Sequence, residues 1–239
     1  MIFSIADNIQ NVRKRIQKAT IEAGRSENAV ELLAVSKTRP AEALFEAMQA
    51  GIESFGENYL SEALVKQSEL ERLCSAEQYS ALSWHFIGPI QSNKTKAIAE
   101  HFDWVHSVDR LKIAKRLNDQ RPDKAKPLNI CIQVNIDHEE TKSGVFLEDV
   151  PNLIDALKTM PKLKFRGLMC IPNAQLGEQS VKQAFMKMKS CFDGLSSEDS
   201  QVDTLSMGMS GDIEIAIESG ATMVRVGTSL FGAREAQQH

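Results

Sequence analysis

Short apolar runs alternate with amphipathic segments along almost the whole chain. Most of these runs lack strict alternation of polar and apolar residues, which is typical of strands that are buried on both faces of a parallel sheet. The pattern therefore predicts eight parallel strands. The runs, rich in Val, Ile, Leu and Phe, are residues 31–37, 52–57, 83–88, 103–107, 128–136, 164–171, 204–209 and 222–227.

The segments between the runs carry apolar residues at helical spacing. Pro40 suits the first turn of a helix after the first run. Asp109 is placed to cap the helix after the fourth run. The predicted apolar faces are Leu44 with Ala47, Leu111 with Ala114 and Leu117, Ile213 with Ala216 and Ile217, and, in an extra N-terminal helix, Ile9 with Val12 and Ile16.

Eight strand–helix pairs in 239 residues predict a (β/α)8 TIM barrel of the α/β class, with an extra N-terminal helix. A doubly wound open sheet is the competing architecture. It is disfavoured because no GxGxxG motif follows the first strand. The polar stretches at 121–127 and 195–201 are short and indicate surface loops, so we expect a single domain over residues 1–239.

Composition and charge exclude several classes of function. A net charge of −4 gives no basic footprint for nucleic acid. No apolar run approaches the roughly 20 residues that a membrane span needs, and the N-terminus lacks a signal-peptide pattern. The four cysteines form no CxxC pair, which predicts free thiols in a reducing compartment. We therefore expect a cytoplasmic protein with no nucleic-acid or membrane partner.

Functional groups of a TIM barrel lie at the carboxyl ends of its strands, and Lys37 stands at the end of the first one. Partial desolvation at the barrel mouth would favour the neutral, nucleophilic amine, which can form a Schiff base with an aldehyde. The alternative is an ordinary strand-end lysine whose charged head reaches water.

The loops after the seventh and eighth strands often hold phosphate in barrels. Here they are Gly208-Met209-Ser210-Gly211-Asp212 and Gly227-Thr228-Ser229, which offer backbone amides and hydroxyls. Either loop alone could be an ordinary strand-to-helix turn. Both together, opposite a strand-end lysine, favour a phosphorylated aldehyde as the ligand.

Other polar residues at strand ends allow more than one interpretation. Arg225 lies in an apolar strand and needs a partner, either a carboxylate such as Glu57 or the ring of a ligand. Asn58 could orient a ligand ring or bond loop backbone. His85, which we expect to be a hydrogen-bonded core histidine, and His106 end adjacent strands. Two histidines without a clear third ligand are a weak metal signal, so we assign neither a metal site nor a catalytic residue.

Several motifs, taken together in this order, resemble the pyridoxal phosphate homeostasis protein family from about residue 5 to 234. The set is specific, although each motif alone is weak. The motifs are Ala34-Val-Ser-Lys37-Thr, Phe55-Gly-Glu-Asn58-Tyr, His85-Phe-Ile-Gly-Pro-Ile-Gln-Ser-Asn-Lys94, Gly167-Leu-Met, Leu205-Ser-Met-Gly-Met-Ser210, Val224-Arg-Val-Gly-Thr228 and Phe231-Gly-Ala-Arg234.

The resemblance implies a barrel like the N-terminal domain of alanine racemase, with pyridoxal 5′-phosphate (PLP) held as a Schiff base on Lys37. It places Arg225 near the pyridine nitrogen and Asn58 near the ring. Gly211 stands where the family commonly has an acidic residue, which is expected to leave Lys37 unaffected and to loosen the phosphate loop slightly. The implied phosphate contacts are Ser210, Gly227 and Thr228, and Met209 is a further expected cofactor-binding residue.

The family's implied role is control of intracellular vitamin B6, by holding PLP and delivering it to PLP-dependent apoenzymes, without an established catalytic reaction. The first alternative is a PLP-dependent amino-acid racemase of the alanine racemase type. Racemisation needs an acid/base group on each face of the substrate, and in alanine racemases one is a tyrosine from a second domain. This chain ends shortly after its eighth strand and has two tyrosines, Tyr59 and Tyr79. The missing second domain also favours a monomer.

The second alternative is a barrel enzyme that uses Lys37 with another phosphorylated aldehyde or ketone, as an aldolase does. Such an enzyme would turn over a phosphorylated sugar and retain little PLP.

Overall fold

Eight parallel strands close into a barrel in the order of the chain, from β1 to β8, and β8 pairs again with β1. The computed structural model describes residues 4–139 and 141–233, so Arg234 of the last motif lies outside the described residues. The TIM barrel predicted from the apolar runs is confirmed. The single domain over residues 1–239 stays a prediction.

Each strand overlaps one of the predicted runs, but most runs extend past the carboxyl end of their strand. The chain leaves the sheet early there because the following loops turn sharply, as at Gly208, whose φ is +96°. The strands are β1 (Glu31–Val35), β2 (Ser54–Glu57), β3 (Ser83–Phe86), β4 (Trp104–Val108), β5 (Leu128–Val134), β6 (Leu163–Cys170), β7 (Thr204–Ser206) and β8 (Met223–Val226).

Helices follow the strands and cover the outside of the barrel. The α-helices are α1 (Ile5–Glu22), α2 (Ala41–Gln49), α3 (Leu60–Leu73), α4 (Ala76–Ser80), α5 (Thr95–His101), α6 (Leu111–Gln120), α7 (Val150–Leu157), α8 (Glu178–Glu198), α9 (Ile213–Glu218) and α10 (Thr228–Phe231). Two short 3-10 helices, Leu147–Asp149 and Ala174–Leu176, precede α7 and α8. In the described part of the chain, no helix is both long enough and apolar enough to cross a membrane.

The extra N-terminal helix is present as α1. Ser4 caps it, and the Asp7 carboxylate accepts from the Ser4 backbone in return, which forms a capping box. The predicted face of Ile9, Val12 and Ile16 is buried. This helix packs against α2, α9 and α10 and so covers the seam where β8 meets β1.

The prediction that Asp109 caps α6 is wrong. The N-cap position is Arg110, which makes no side-chain capping bond. The Asp109 carboxylate instead accepts two 2.7 Å hydrogen bonds from the Arg110 guanidinium, because the neighbouring cation competes with the helix amides for it. Pro40 also lies one residue earlier than predicted, at the N-cap of α2.

The β6–β7 pairing depends on a glycine. A bulge shifts the β5–β6 register, so that Ile130 pairs with Phe165 but Cys131 pairs with Gly167. Gly167 has φ +147°, and a Cβ there would lie 1.9 Å from the Thr204 carbonyl oxygen. The barrel can therefore close beside the bulge only without a side chain at this position.

We expect Gly167→Ala to lower the free energy of unfolding by at least ~1–3 kcal/mol, because it adds both backbone strain and a clash. Gly194→Ala is the matched control, since Gly194 lies in α8 with open space around its Cβ position. That control should stabilise the protein by ~0.5–1 kcal/mol. Denaturant unfolding measures both, and equal effects of the two substitutions would contradict the account.

Candidate functional site

A cavity of about 350 Å³ opens at the carboxyl ends of the strands, where barrel chemistry is expected. All the cofactor-binding residues predicted from the sequence line it. Larger grooves of about 520 and 730 Å³ lie at the opposite end, beside the residues that begin β1 and β8. The lining residues of the mouth cavity are Val35, Lys37, Asn58, Ile87, Ile171, Met209, Ser210, Gly211, Arg225, Gly227 and Thr228.

Lys37 lies on a tight turn two residues after β1 and is half-buried. The next residue, Thr38, has φ +64°, a left-handed conformation that costs about 1–2 kcal/mol for a residue with a Cβ. The Glu62 carboxylate accepts a 2.5 Å hydrogen bond from the Thr38 N–H and holds that conformation. The strained turn aims the chain out of the sheet, so that Lys37 borders the cavity.

A buried ion cluster fixes the other side of this turn. The Lys66 ammonium, 3% exposed, donates to Glu57 (2.6 Å), to Glu62 (2.7 Å) and to the Ser36 carbonyl (2.7 Å). The Ser36 hydroxyl also donates to Glu57. Burial raises the pKa of Glu57, whereas Lys66 and the hydrogen bonds oppose that shift. The residues on both sides of Lys37 are thus tied to one cluster.

Arg225 is buried in β8 and pairs with no carboxylate among the described residues. Its Nη1 donates to the Ser206 carbonyl (2.7 Å) and hydroxyl (2.9 Å), and its Nη2 donates to the Cys170 carbonyl (2.9 Å). The alternative that Glu57 neutralises it is wrong, because Lys66 occupies that carboxylate. Burial lowers the pKa of Arg225 from its ordinary value, but an arginine stays protonated in proteins.

The two predicted phosphate loops meet at the cavity. The Ser229 N–H lies 3.4 Å from the Ser210 hydroxyl, which joins the loop after β7 to the loop after β8. A Cβ at Gly227 would lie 3.1 Å from the Val35 carbonyl oxygen, so this loop passes close to β1. Among the described residues of these two loops that line the cavity, the amides of Ser210, Gly211, Gly227 and Thr228 donate to no other protein atom.

The space around Gly211 does not require a glycine. A Cβ there would meet no atom within 4 Å. The following residue, Asp212, accepts a hydrogen bond from the Met209 N–H and so closes the loop on itself. Burial raises the pKa of the Asp212 carboxyl.

Asn58 follows β2 and carries an unsatisfied oxygen. Its Oδ1 is buried and has no hydrogen-bond partner among the described residues. The backbone of Asn58 sits directly on Gly88, where a Cβ would lie 2.3 Å from the Asn58 carbonyl oxygen. Asn58 lines the cavity, and its amide oxygen has hydrogen-bonding capacity to spare.

His85 and His106 are hydrogen-bonded to each other. His85 Nδ1 lies 2.9 Å from His106 Nε2, and both rings are buried inside the barrel. Burial lowers the pKa of His85 to about 3 and that of His106 well below its usual value. Over the described ranges, no group of three or more His, Cys, Asp or Glu residues could hold a metal ion. Cys131 and Cys170 are buried, and all four cysteines are free, as the sequence predicted.

Sequence reasoning missed the cavity's apolar walls and the ion cluster beneath the Lys37 turn. Ile87 and Ile171 lie just past β3 and β6, so their place at strand ends could have revealed them. Lys66 gave no such signal, because its spacing from Glu62 is that of an ordinary surface pair on a helix. Lys142, in the loop after β5, borders an adjacent cavity of about 270 Å³ that also touches Asn58.

Comparison with known proteins places the chain in a family. A family model described as alanine racemase, N-terminal domain, matches residues 4–235. The pyridoxal phosphate homeostasis protein of Pseudomonas aeruginosa is 54% identical over 232 residues, which cover 97% of this chain and 96% of that protein. The chain belongs to the pyridoxal phosphate homeostasis protein family.

Solved structures extend the comparison. PipY of Synechococcus elongatus without PLP has a TM-score of 0.83 at 35% identity, and PipY with PLP bound has 0.78 at 34%. Each match covers 95% of this family member and all of the PipY chain. Alanine racemase of Corynebacterium glutamicum has a TM-score of 0.66 at 14% identity, over 97% of this chain and 61% of the racemase. That last similarity shows a shared fold alone.

We expect Lys66→Met to cost about 3–5 kcal/mol of unfolding free energy, because it leaves the buried Glu57 charge unpaired. Lys182→Met is the control, since Lys182 pairs with Glu218 at the surface and its loss should cost less than ~1 kcal/mol. The double variant Glu57→Gln/Lys66→Met should recover part of the loss. Denaturant unfolding measures the free energy of unfolding of all three variants. If Lys66→Met lowered that free energy no more than Lys182→Met does, the proposed role of the cluster would be refuted.

Proposed function

We propose that this chain binds PLP in the mouth cavity as a Schiff base on Lys37 and supplies it to PLP-dependent apoenzymes, as a protein of vitamin B6 homeostasis and not as an enzyme. The observation that carries the proposal is the arrangement of one cavity. The mouth cavity is bordered by a lysine, by a buried arginine and by loop amides that have no protein acceptor.

The residues present fit the cofactor. PLP supplies an aldehyde, which a lysine amine captures as a Schiff base. The loop amides and the Ser210 hydroxyl suit a phosphate, which accepts several hydrogen bonds at once. The unsatisfied amide of Asn58 can bond a polar substituent of the ring, while Ile87 and Ile171 offer apolar walls. The relatives' name and the PLP bound to PipY support the same ligand.

Arg225 fits a cofactor that is held with its pyridine nitrogen unprotonated. Its guanidinium is a permanent donor, so it can bond the pyridine nitrogen only when that nitrogen carries no proton. An unprotonated pyridine is a weak electron sink, and PLP enzymes that form carbanions depend on that sink. The same residue therefore helps to hold the ring without activating it.

The racemase and aldolase alternatives both need proton transfer at the cavity, and the described lining offers little for it. Lys37 is the one lining residue with an ordinary acid/base side chain, whereas racemisation needs a group on each face. Tyr59, the candidate second base, is 50% exposed and does not line the cavity. Tyr79 lies on α4, away from the strand ends.

Delivery to apoenzymes requires the cofactor to leave, and the rim of the cavity is open to solvent. Met209 and Ile171, on opposite loops, are each 38% exposed. A cytoplasmic location and a monomeric state stay predictions, of which the first rests on the four free thiols.

Lys37→Ala should abolish the Schiff-base absorbance of PLP-treated protein while changing the unfolding free energy by less than ~0.5 kcal/mol, because a mouth-facing lysine packs little. Visible absorbance and thermal unfolding are the readouts. Lys96→Ala, at an exposed position on α5, is the control and should keep the absorbance. An intact absorbance band in Lys37→Ala would show that another residue forms the Schiff base. An unfolded variant would show that Lys37 is needed for the fold.

Ser210→Ala should weaken PLP binding by ~tenfold or more, the worth of one hydrogen bond to a charged group. Pyridoxal, which lacks the phosphate, should bind the variant and the parent protein equally. Equilibrium titration of both ligands measures the difference. Equal losses for the two ligands would show that Ser210 contacts some other part of the cofactor or acts on the fold.

A further inference from the structure

A continuous chain of hydrogen bonds runs through the barrel interior from the floor of the cavity towards the opposite end. Arg225 Nη1 bonds Ser206 Oγ at 2.9 Å, and Ser206 Oγ bonds His106 Nδ1 at 3.0 Å. His106 Nε2 bonds His85 Nδ1 at 2.9 Å, and His85 Nε2 bonds Ser83 Oγ at 3.0 Å. Ser206 and the two histidines are buried, whereas Ser83 is half-buried at the start of β3.

The direction of the chain follows from its first member. A guanidinium has only donors, so Ser206 Oγ must accept from Arg225 and gives its single hydrogen to His106 Nδ1. A neutral His106 then carries its proton on Nε2 and donates to His85 Nδ1. His85 in turn donates from Nε2 to Ser83. Every member is satisfied when both histidines are neutral Nε2–H tautomers.

The surroundings of the histidines support that state. Burial lowers the pKa of both rings, and the nearby Arg225 charge lowers that of His106 further. The Trp104 ring stacks on His85 with centroids 5.2 Å apart and an interplanar angle of 6°. Arg166 lies 4.6 Å above Trp104 and is itself held by Asp203 at 2.9 Å. At the end far from the cavity, His85 is therefore held by ring packing as well as by hydrogen bonds.

The hydrogen-bond chain restricts the orientation of the Arg225 side chain. Ser206 takes two of its five N–H groups and the Cys170 carbonyl takes a third. The Nε–H and one Nη2–H are not used by these bonds, and Arg225 lines the cavity. A flexible arginine would lose rotamer entropy on meeting a ligand, whereas one already fixed binds at a lower cost.

We infer that Ser206 and His106 are positioning residues, which hold the Arg225 guanidinium in one orientation towards the ring of the ligand. The inference rests on the proposed function for the identity of that ligand. It assigns a role to the interior of the barrel that the cavity lining alone does not reveal.

The first test uses the ligand-free protein, so it does not depend on PLP binding. Long-range proton–nitrogen NMR near neutral pH should find both histidines as neutral Nε2–H tautomers. Nitrogen relaxation of the Arg225 side chain should show a rigid guanidinium that becomes more mobile in Ser206→Ala, where only its two bonds to backbone carbonyls remain. A protonated or Nδ1–H His106, or an Arg225 as mobile in the parent protein as in the variant, would overturn the inference.

The second test measures PLP affinity together with unfolding. Ser206→Ala and His106→Leu should each weaken PLP binding by ~3- to 10-fold, the worth of about one neutral hydrogen bond. His106→Asn keeps an acceptor for the Ser206 hydroxyl and should lose less. Ser219→Ala is the control, because it removes a buried hydroxyl that has no partner in the described structure. It should leave PLP affinity unchanged.

The outcomes separate the two proposals. If Ser206→Ala lowered stability but left PLP affinity unchanged, the hydrogen-bond chain would have only a structural role. That result would refute the inference. If His106→Leu fails to fold, the smaller Ser206→Ala deletion decides. A parent protein that takes up no PLP would contradict the proposed function, whereas the NMR of the ligand-free protein would still decide whether the chain orders Arg225.

Discussion

The pairing of β8 with β1 is the constraint on which the rest of the site depends. In this register Leu33 lies beside Arg225 and Ala34 beside Val226, although about 190 residues separate the two strands. The loop after β8 therefore emerges next to the turn that carries Lys37. Gly227 permits this close approach, because its backbone passes the Val35 carbonyl at a distance that leaves little room for a side chain. Without closure of the barrel, the lysine and the loop amides would not share a cavity.

Two buried polar systems lie beneath that cavity and orient its residues. Lys66 with Glu57 and Glu62 ties down the backbone on both sides of Lys37. Ser206 and His106 hold Arg225. Burying such groups costs free energy unless each one finds a partner. The bonds to Glu57 Oε1 and to the two histidines offset part of that cost, although Glu57 Oε2 is buried without a partner among the described residues.

Local patterns predicted the barrel because strand burial and helix amphipathicity are properties of short segments. The same logic placed Lys37, Ser210 and Thr228 at one rim, since parallel strands bring their carboxyl ends together. These residues reach the cavity as expected, and their roles towards the ligand stay proposals. The placement needed only strand order and direction.

Side-chain partners could not be predicted in this way. Arg225 was open to pairing with Glu57, and only the three-dimensional structure shows that Lys66, from the outer helix α3, takes that carboxylate. Asp109 does not cap α6, and its carboxylate pairs instead with the neighbouring Arg110. His85 and His106 were correctly expected on adjacent strands, but the bond from His106 to Ser206 depends on a strand a hundred residues away. Packing between segments that are distant in the sequence determines which of these side chains become partners.

The central claim is that Lys37 anchors PLP in the mouth of this barrel. The most direct measurement is borohydride reduction of PLP-treated protein, followed by peptide mass mapping. We expect a single stable pyridoxyl adduct, carried by the peptide that contains Lys37. A protein that stays unlabelled, or an adduct confined to other lysines, would contradict it.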